Sequence, residues 1–312
     1  MKNAPLKTTV IHHSSDFDGI FCREIARKFL PDAELIGWDF GDKPHPGKAD
    51  PFHQFYILDL PVDRVFGFNF SKSNPDAVAS ARYENVIWID HHKSSIETHP
   101  KDIPGYRIDG VAACRLAWQW FANTLGPGNM SYISGLEKRH FFDRMVDEPL
   151  AVRLAGEYDI WDKRDPRAEL FQFGLRARDL ENCWDSLLGD SVSSDQSVEF
   201  LLRLGEPLQY ARANEYRDVI TQQGFDVEFE GLKFLACCSH ECDIRSHLFE
   251  AGIKPHHDGL LGFTFTGKDW RVSLYGVPSK PELDLSPIAV KHGGGGHRQA
   301  CGFRAQNLPW IP

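Results

Sequence analysis

Long apolar runs are missing from this chain of 312 residues. No stretch approaches the ~18 consecutive apolar residues of a membrane-spanning helix. Nor does the chain open on the charged-then-apolar pattern of a secretion signal. Neither a membrane partner nor export is therefore expected. Cys-x-x-Cys pairs are also missing: the seven cysteines stand at 22, 114, 183, 237, 238, 242 and 301. An odd number without redox-type or zinc-type pairing points to a reduced, cytoplasmic protein. Cys237, Cys238 and Cys242 near His240 resemble a zinc cluster only loosely and read better as a buried strand and a helix start. Positive charge is in deficit as well, with 35 Lys and Arg against 44 Asp and Glu, a net charge of −9. Long duplex nucleic acid is gripped by neutralising phosphates, so it is a poor partner for such a chain. A phosphate-bearing substrate would have to be small and held by a few local cations or metal ions.

What the sequence does contain is ordinary for a soluble globular protein, at 42% hydrophobic and 25% charged residues. The length suits one large domain or two ordinary ones. Thr8 to His12, Ala33 to Trp38, Phe55 to Asp59 and Val86 to Ile89 read as strands, and Ile20 to Leu30 as a helix ended by Pro31. A loop rich in Gly, Pro, His and Asp covers Gly41 to Pro51, and Pro75 to Ala81 reads as a helical approach. This alternation predicts parallel βα units. Val111 to Leu125 and Phe141 to Glu157 add helices, and the polar stretch Asp190 to Gln196 leads into a long amphipathic helix, Val198 to Gln223. Beyond it come short strands (Phe225 to Phe229, Leu232 to Cys238, Leu260 to Thr266, Trp270 to Tyr275) and helices over Asp243 to Ala251 and Ser286 to Lys291. The expected architecture is α/β. A parallel-sheet domain over 1–190 and a connecting segment over 191–223 precede a smaller α+β domain over 224–312, with a cleft between the two domains.

Three of the early strands end on polar, metal-loving groups. The first runs into His12-His13-Ser14-Ser15-Asp16-Phe17-Asp18-Gly19, the third into Asp59, and Val86-Ile87-Trp88-Ile89 into Asp90-His91-His92. Each alone reads equally well as a helix cap or a polar turn. Ligands of open α/β sheets gather beyond the carboxyl ends of the strands, so parallel neighbours would bring at least four carboxylates and two imidazoles to one edge. Crowded carboxylates repel and must take up protons or bind cations. Carboxylates with imidazoles and no thiolate suit Mn²⁺, with Mg²⁺ or Co²⁺ as alternatives. The number of groups exceeds the need of one ion and fits two, which favours in-line displacement at phosphorus.

His-x-x-x-Asp-x-Asp after a first strand, a lone strand-end Asp and then Asp-His-His together resemble the DHH phosphoesterase superfamily. The late Gly293-Gly294-Gly295-Gly296-His297-Arg298-Gln299-Ala300-Cys301-Gly302 looks like the signature of the DHHA1 domain associated with it. The resemblance spans Val10 to Phe303. It implies that His12 and Asp16 hold one Mn²⁺, that Asp18 and His91 hold the other, and that Asp59 bridges them. It further implies that Asp90 supports or ligates, that His92 approaches the substrate phosphate, and that Asp159 is the late acidic ligand. Asp90, His91 and His92 would thus be the catalytic group. His13 is the alternative to His12 if the register differs by one residue, and Asp162 the alternative to Asp159.

Successive glycines let backbone N–H groups converge on an anion, so Gly294, Gly295 and Gly296, with His297 and Arg298, are read as substrate-binding. Many relatives carry a basic residue near Tyr275; here only Arg271 or Lys268 stands nearby. Trp161 reads as core packing ahead of base stacking, Phe17 as packing, and His256-His257 as surface. The resemblance implies hydrolysis of short oligonucleotides, linearised cyclic dinucleotides or nucleoside bisphosphates. Pyrophosphatase or exopolyphosphatase activity and a catalytically silent nucleotide-binding module are the rivals. Homodimerisation is left open.

Overall fold

The computed structural model describes residues 7–45, 53–67, 85–126, 135–162, 164–177, 183–238 and 246–310. By its internal contacts the chain divides into two units, 1–206 and 207–312. The first is built on a parallel sheet of β1 (Lys7–His13), β2 (Glu34–Trp38), β3 (His53–Leu58) and β4 (Val86–Ile89), in the order β2-β1-β3-β4. Alternate residues of these strands serve opposite faces, as a sheet covered on both sides requires. Val10, Tyr56 and Leu58 pack into one core, while Ile11, Phe55, Ile57 and Trp88 pack into the other. The second face is closed by α2 (Val62–Phe66) and anchored by Trp88, whose indole N–H donates to the Leu60 carbonyl at 2.8 Å.

The larger core lies under α1 (Phe17–Phe29), which buries Phe21, Cys22, Ile25 and Ala26. Helix α3 (Lys93–Thr98) follows the fourth strand directly. The first core also takes in α4 (Ala113–Leu125), α5 (Lys138–Phe142), α6 (Leu150–Asp159), α7 (Arg167–Arg176) and α8 (Trp184–Leu187). Each large apolar side chain removed from water here contributes roughly 1.5–3 kcal/mol. Gly19 is required where α1 meets β1, because a Cβ there would lie 2.1 Å from the His13 carbonyl oxygen. Arg115 of α4 is buried and clamps Glu148, ahead of α6, through its Nε at 3.0 Å to both carboxylate oxygens.

Helix α9 runs from Ser191 to Gln223 with Pro207 inside it, and so begins seven residues before the expected Val198. The polar stretch expected to be a connector is its first turn, where the Asp190 carboxylate accepts from Ser193 N at 2.8 Å. Val198, Leu201 and Leu202 belong to the first core, Tyr216 and Ile220 to a core of the second unit.

The second unit carries a six-stranded sheet ordered β5-β6-β7-β8-β10-β9, from β5 (Phe225–Phe229), β6 (Leu232–Cys238), β7 (Gly259–Phe265), β8 (Trp270–Gly276), β9 (Gly295–His297) and β10 (Ala300–Ala305). Glu230 and Gly231, at φ 50° and 75°, turn β5 into β6 as a two-residue hairpin. Residues Ser246–Gly252 form a 3₁₀ helix where an α-helix was expected from Asp243, and α10 covers Ser286–Lys291 as expected. The expected helix over Pro75 to Ala81, and Cys242 with His240, fall outside the described residues. No helix among the described residues is long and apolar enough to cross a membrane.

Candidate metal centre

Strand register delivers the site. His12 pairs with Leu58 and Leu58 with Ile89, so His13, Asp59 and Asp90 lie on one level, a step beyond the last shared rung. Asp59 is buried at φ 60°, a left-handed conformation that aspartate tolerates better than most residues, and its N–H donates to the Ile89 carbonyl at 2.9 Å. Its two carboxylate oxygens face different groups. Oδ2 lies 3.4 Å from His13 Nδ1, which itself lies 2.9 Å from Asp16 Oδ2. Oδ1 lies 3.4 Å from His91 Nε2, which is also 3.6 Å from Asp18 Oδ2 and 3.4 Å from Asp159 Oδ2.

Local structure holds each of these acids. Asp16 caps α1, accepting from Gly19 N at 2.9 Å. Asp18, in the first turn of α1, reaches the start of α4 and accepts from Ala113 N and Cys114 N at 2.8 Å each, where the helix N-terminus favours negative charge. Asp159 is the last residue of α6. Asp90 turns inward: its Oδ1 accepts from His91 N at 2.7 Å, His92 N at 3.2 Å and the His92 ring Nδ1 at 2.7 Å.

The electrostatics follow from this crowding. Burial pushes Asp18 and Asp159 far above the usual carboxylate range, and neighbouring carboxylates add to it. Burial acts the same way on Asp59, but His13 and His91 outweigh it and hold that carboxylate well below the usual range. Burial opposes charge on His13, yet Asp16 and Asp59 raise it to about 11. His92, likewise buried, is raised to about 10 by Asp90. Two buried carboxylate oxygens of this group take no hydrogen bond, Asp59 Oδ1 and Asp90 Oδ2. Lone pairs left unused on carboxylates beside imidazoles, with no thiolate among the ligand atoms, fit a pair of hard divalent cations.

Several sequence expectations change on contact with the geometry. His13, not His12, reaches the carboxylates. His12 shares its strand face with Val10, donates Nδ1–H to the His13 carbonyl at 2.8 Å, and keeps its ring against Gly37. Asp159 joins the cluster, whereas Asp162 is paired with Arg164 at 2.6 Å. Trp161 is not core: it is 39% exposed at φ 56°, stacked on Tyr158 with ring centroids 6.4 Å apart.

In the second unit, the N–H groups of Gly293 and Gly294 are used on the Val290 and Ala289 carbonyls that end α10, so they are not available to an anion. Gly295, Gly296 and His297 form the edge strand β9, and Gly294 and Gly296 are needed for close approach to β10. The Arg298 guanidinium is turned to the backbone and carboxylate of Glu282. Arg271 stands on the rung of Arg304, four residues along β8 from Tyr275. His257 is fully buried rather than at the surface, and with His256 it contacts Asp226, at 3.0 and 2.9 Å. Its Nδ1 accepts from Lys254 N at 2.9 Å, leaving Nε2 to carry the proton toward Asp226. His256, His257 and Asp226 form a hydrogen-bonded latch.

One residue escaped the sequence reading. Asp39, just after β2, places Oδ1 3.3 Å from His13 Nε2 and accepts from the Ser15 hydroxyl at 2.5 Å. The signal was there, because it is a fourth strand-end acid beside β1.

These features define a parallel-sheet domain followed by a smaller mixed-sheet domain. A solved DHH domain, described as coming from a member of a family of ribosomal proteins, shares this fold over 96% of this chain and 82% of its own, at 13% identity and TM-score 0.51. The pGpG-specific phosphodiesterase PggH from Vibrio cholerae is also similar, at 13% identity, TM-score 0.43, and 96% and 93% coverage. So is the exonuclease RecJ bound to manganese, at 16% identity, TM-score 0.43, and 97% and 86% coverage. No protein-family model and no curated protein matches the sequence.

Proposed function

We propose that this chain is a metal-dependent phosphoesterase that hydrolyses phosphodiester bonds of short oligonucleotides or related small nucleotides. The observation that carries the reading is Asp59, one buried carboxylate shared between two histidine–carboxylate groups. His13, Asp16 and Asp59 would hold one divalent ion, and Asp18, Asp59, His91 and Asp159 the other, Mn²⁺ suiting this mixture of imidazole and carboxylate. When bound, such ions withdraw charge from phosphoryl oxygens and acidify a water for in-line attack. The chain's own contribution is to fix that geometry and supply a charged donor. Asp90 keeps His92 protonated and aimed, so that its imidazolium can bond a phosphoryl oxygen as charge develops. In the second unit, His297 and the backbone of Gly295 and Gly296 are the proposed substrate contacts; Arg298 would first have to leave Glu282. The six described cysteines are free, in keeping with a reducing cytoplasm.

Two features support a short nucleotide over a long strand, namely the net charge of −9 and the burial of Asp18, Asp59 and Asp90. The test is hydrolysis of a 5′-phosphorylated dinucleotide, 3′-phosphoadenosine 5′-phosphate and pyrophosphate by the purified protein with Mn²⁺. Mononucleotide release that disappears in His91→Ala is expected. Turnover of pyrophosphate alone would replace the substrate, and tight nucleotide binding without turnover would leave a binding module.

A further inference from the structure

Beyond Asp39, the end of β2 brings an aromatic ring beside His13 and His92. Phe40 is 50% exposed. Its ring lies 5.8 Å from that of His13 and 6.5 Å from that of His92, at interplanar angles of 73° and 72°. Trp38 backs it at 5.9 Å, again edge-on. No ring among the described residues lies parallel to it. Its position is fixed by a tight turn: Phe40 N donates to Asp39 Oδ1 at 2.7 Å, Asp39 N donates to Asp42 Oδ2 at 2.9 Å, and Gly41 takes φ 108°. A lone exposed phenylalanine is ordinary on a surface. One held by a hydrogen-bonded turn against His92, the proposed phosphate donor, and His13, a proposed metal ligand, borders the place where a substrate phosphate would bind.

We propose that Phe40 is a stacking platform for the nucleobase attached to the phosphate at His92, and so a specificity-determining residue that favours nucleotides over inorganic phosphates. The inference rests on the phosphoesterase reading and deepens it. A base has a π-face whatever its identity, so stacking gives affinity without sequence preference. Inorganic pyrophosphate and polyphosphate have no such face. A base one sugar away from a phosphate at His92 falls within reach of this ring.

The experiment compares KM for a 5′-phosphorylated dinucleotide with KM for its abasic counterpart, in the wild type and in Phe40→Ala, Phe40→Leu and Phe40→Tyr. Wild type is expected to favour the base-bearing substrate by about tenfold or more, the scale of one stacked base. That preference should collapse in Phe40→Ala and Phe40→Leu and persist in Phe40→Tyr. Quenching of a 2-aminopurine dinucleotide on binding should follow the same order. Leucine keeps the bulk, so it covers the case in which alanine loosens the turn. An unchanged preference in both aliphatic variants, or no preference in the wild type, overturns the platform and leaves the phosphoesterase standing. No turnover of either substrate by the wild type overturns both.

Discussion

At His13 the imidazole is held from both sides, with Asp16 and Asp59 at Nδ1 and Asp39 at Nε2. A carboxylate behind a ligating histidine fixes its tautomer and ring orientation. Asp39→Asn is therefore expected to weaken Mn²⁺ binding by about 10–100-fold, the usual scale for such partners, with little change in melting temperature. Titration followed by electron paramagnetic resonance of free Mn²⁺ measures it, and unchanged affinity would reduce Asp39 to a turn residue. His13→Ala should lose more than Asp39→Asn, and His12→Ala should retain metal binding, since His12 hydrogen-bonds backbone instead. The reverse ranking in the same titration would restore His12. The residue types at this edge were legible in the sequence. Which of two adjacent histidines faces the acids was not, because a single step along a strand exchanges its faces.

Among the elements, α4 does two tasks. Its first N–H groups hold Asp18, and its Arg115 holds Glu148 ahead of α6, the helix that ends in Asp159. Arg115 is fully buried, so Arg115→Ala would strand the Glu148 carboxylate in a dry interior. Breaking such a pair typically destabilises by about 3–5 kcal/mol, and urea unfolding should show a loss of that order. A loss below about 1 kcal/mol would mean that water or Arg153 takes over the carboxylate. Strand and helix alternation was readable from period and composition, and the limits of β5, β6 and α10 agree with the structure to the residue. The start of α9 was not, since Ser and Asp favour turns in isolation and become helical here under the packing of Val198 and Leu201. The glycine run was legible only in part: its composition suggested an anion cradle, but the Gly293 and Gly294 N–H groups end α10, and sterics against β10 require glycine at 294 and 296.

For the whole molecule, the acids of the first unit couple folding to metal and to pH. In the metal-free protein His13 keeps its proton up to about 11, and Asp18 and Asp159 keep theirs far above the usual range. Ions must displace those protons, so affinity for Mn²⁺ should rise with pH, and calorimetry in buffers of different ionisation enthalpy should show proton release on binding. Release near zero would contradict the ligand set. Ions that bind only the folded chain stabilise it, so under the proposed ligand set Mn²⁺ at ~100 times its dissociation constant should add about 2.7 kcal/mol, and EDTA should lower the melting temperature accordingly. The protonated His13 acts in the opposite sense. Its stabilisation of the metal-free fold is complete below its ordinary value of 6.5 and fades as pH rises through about 11.

Asp59 has one more consequence, and it concerns heredity. Its left-handed backbone admits few residues without strain, chiefly glycine, asparagine and aspartate. Single-base changes in an aspartate codon reach both of the others. Asp59→Asn and Asp59→Gly should therefore keep this backbone turn and still fold while losing the shared carboxylate, which thermal denaturation beside a metal titration would establish. Mutation at this position would extinguish the proposed chemistry and spare the architecture, so lineages of this fold have a short road to folded descendants that bind without cutting.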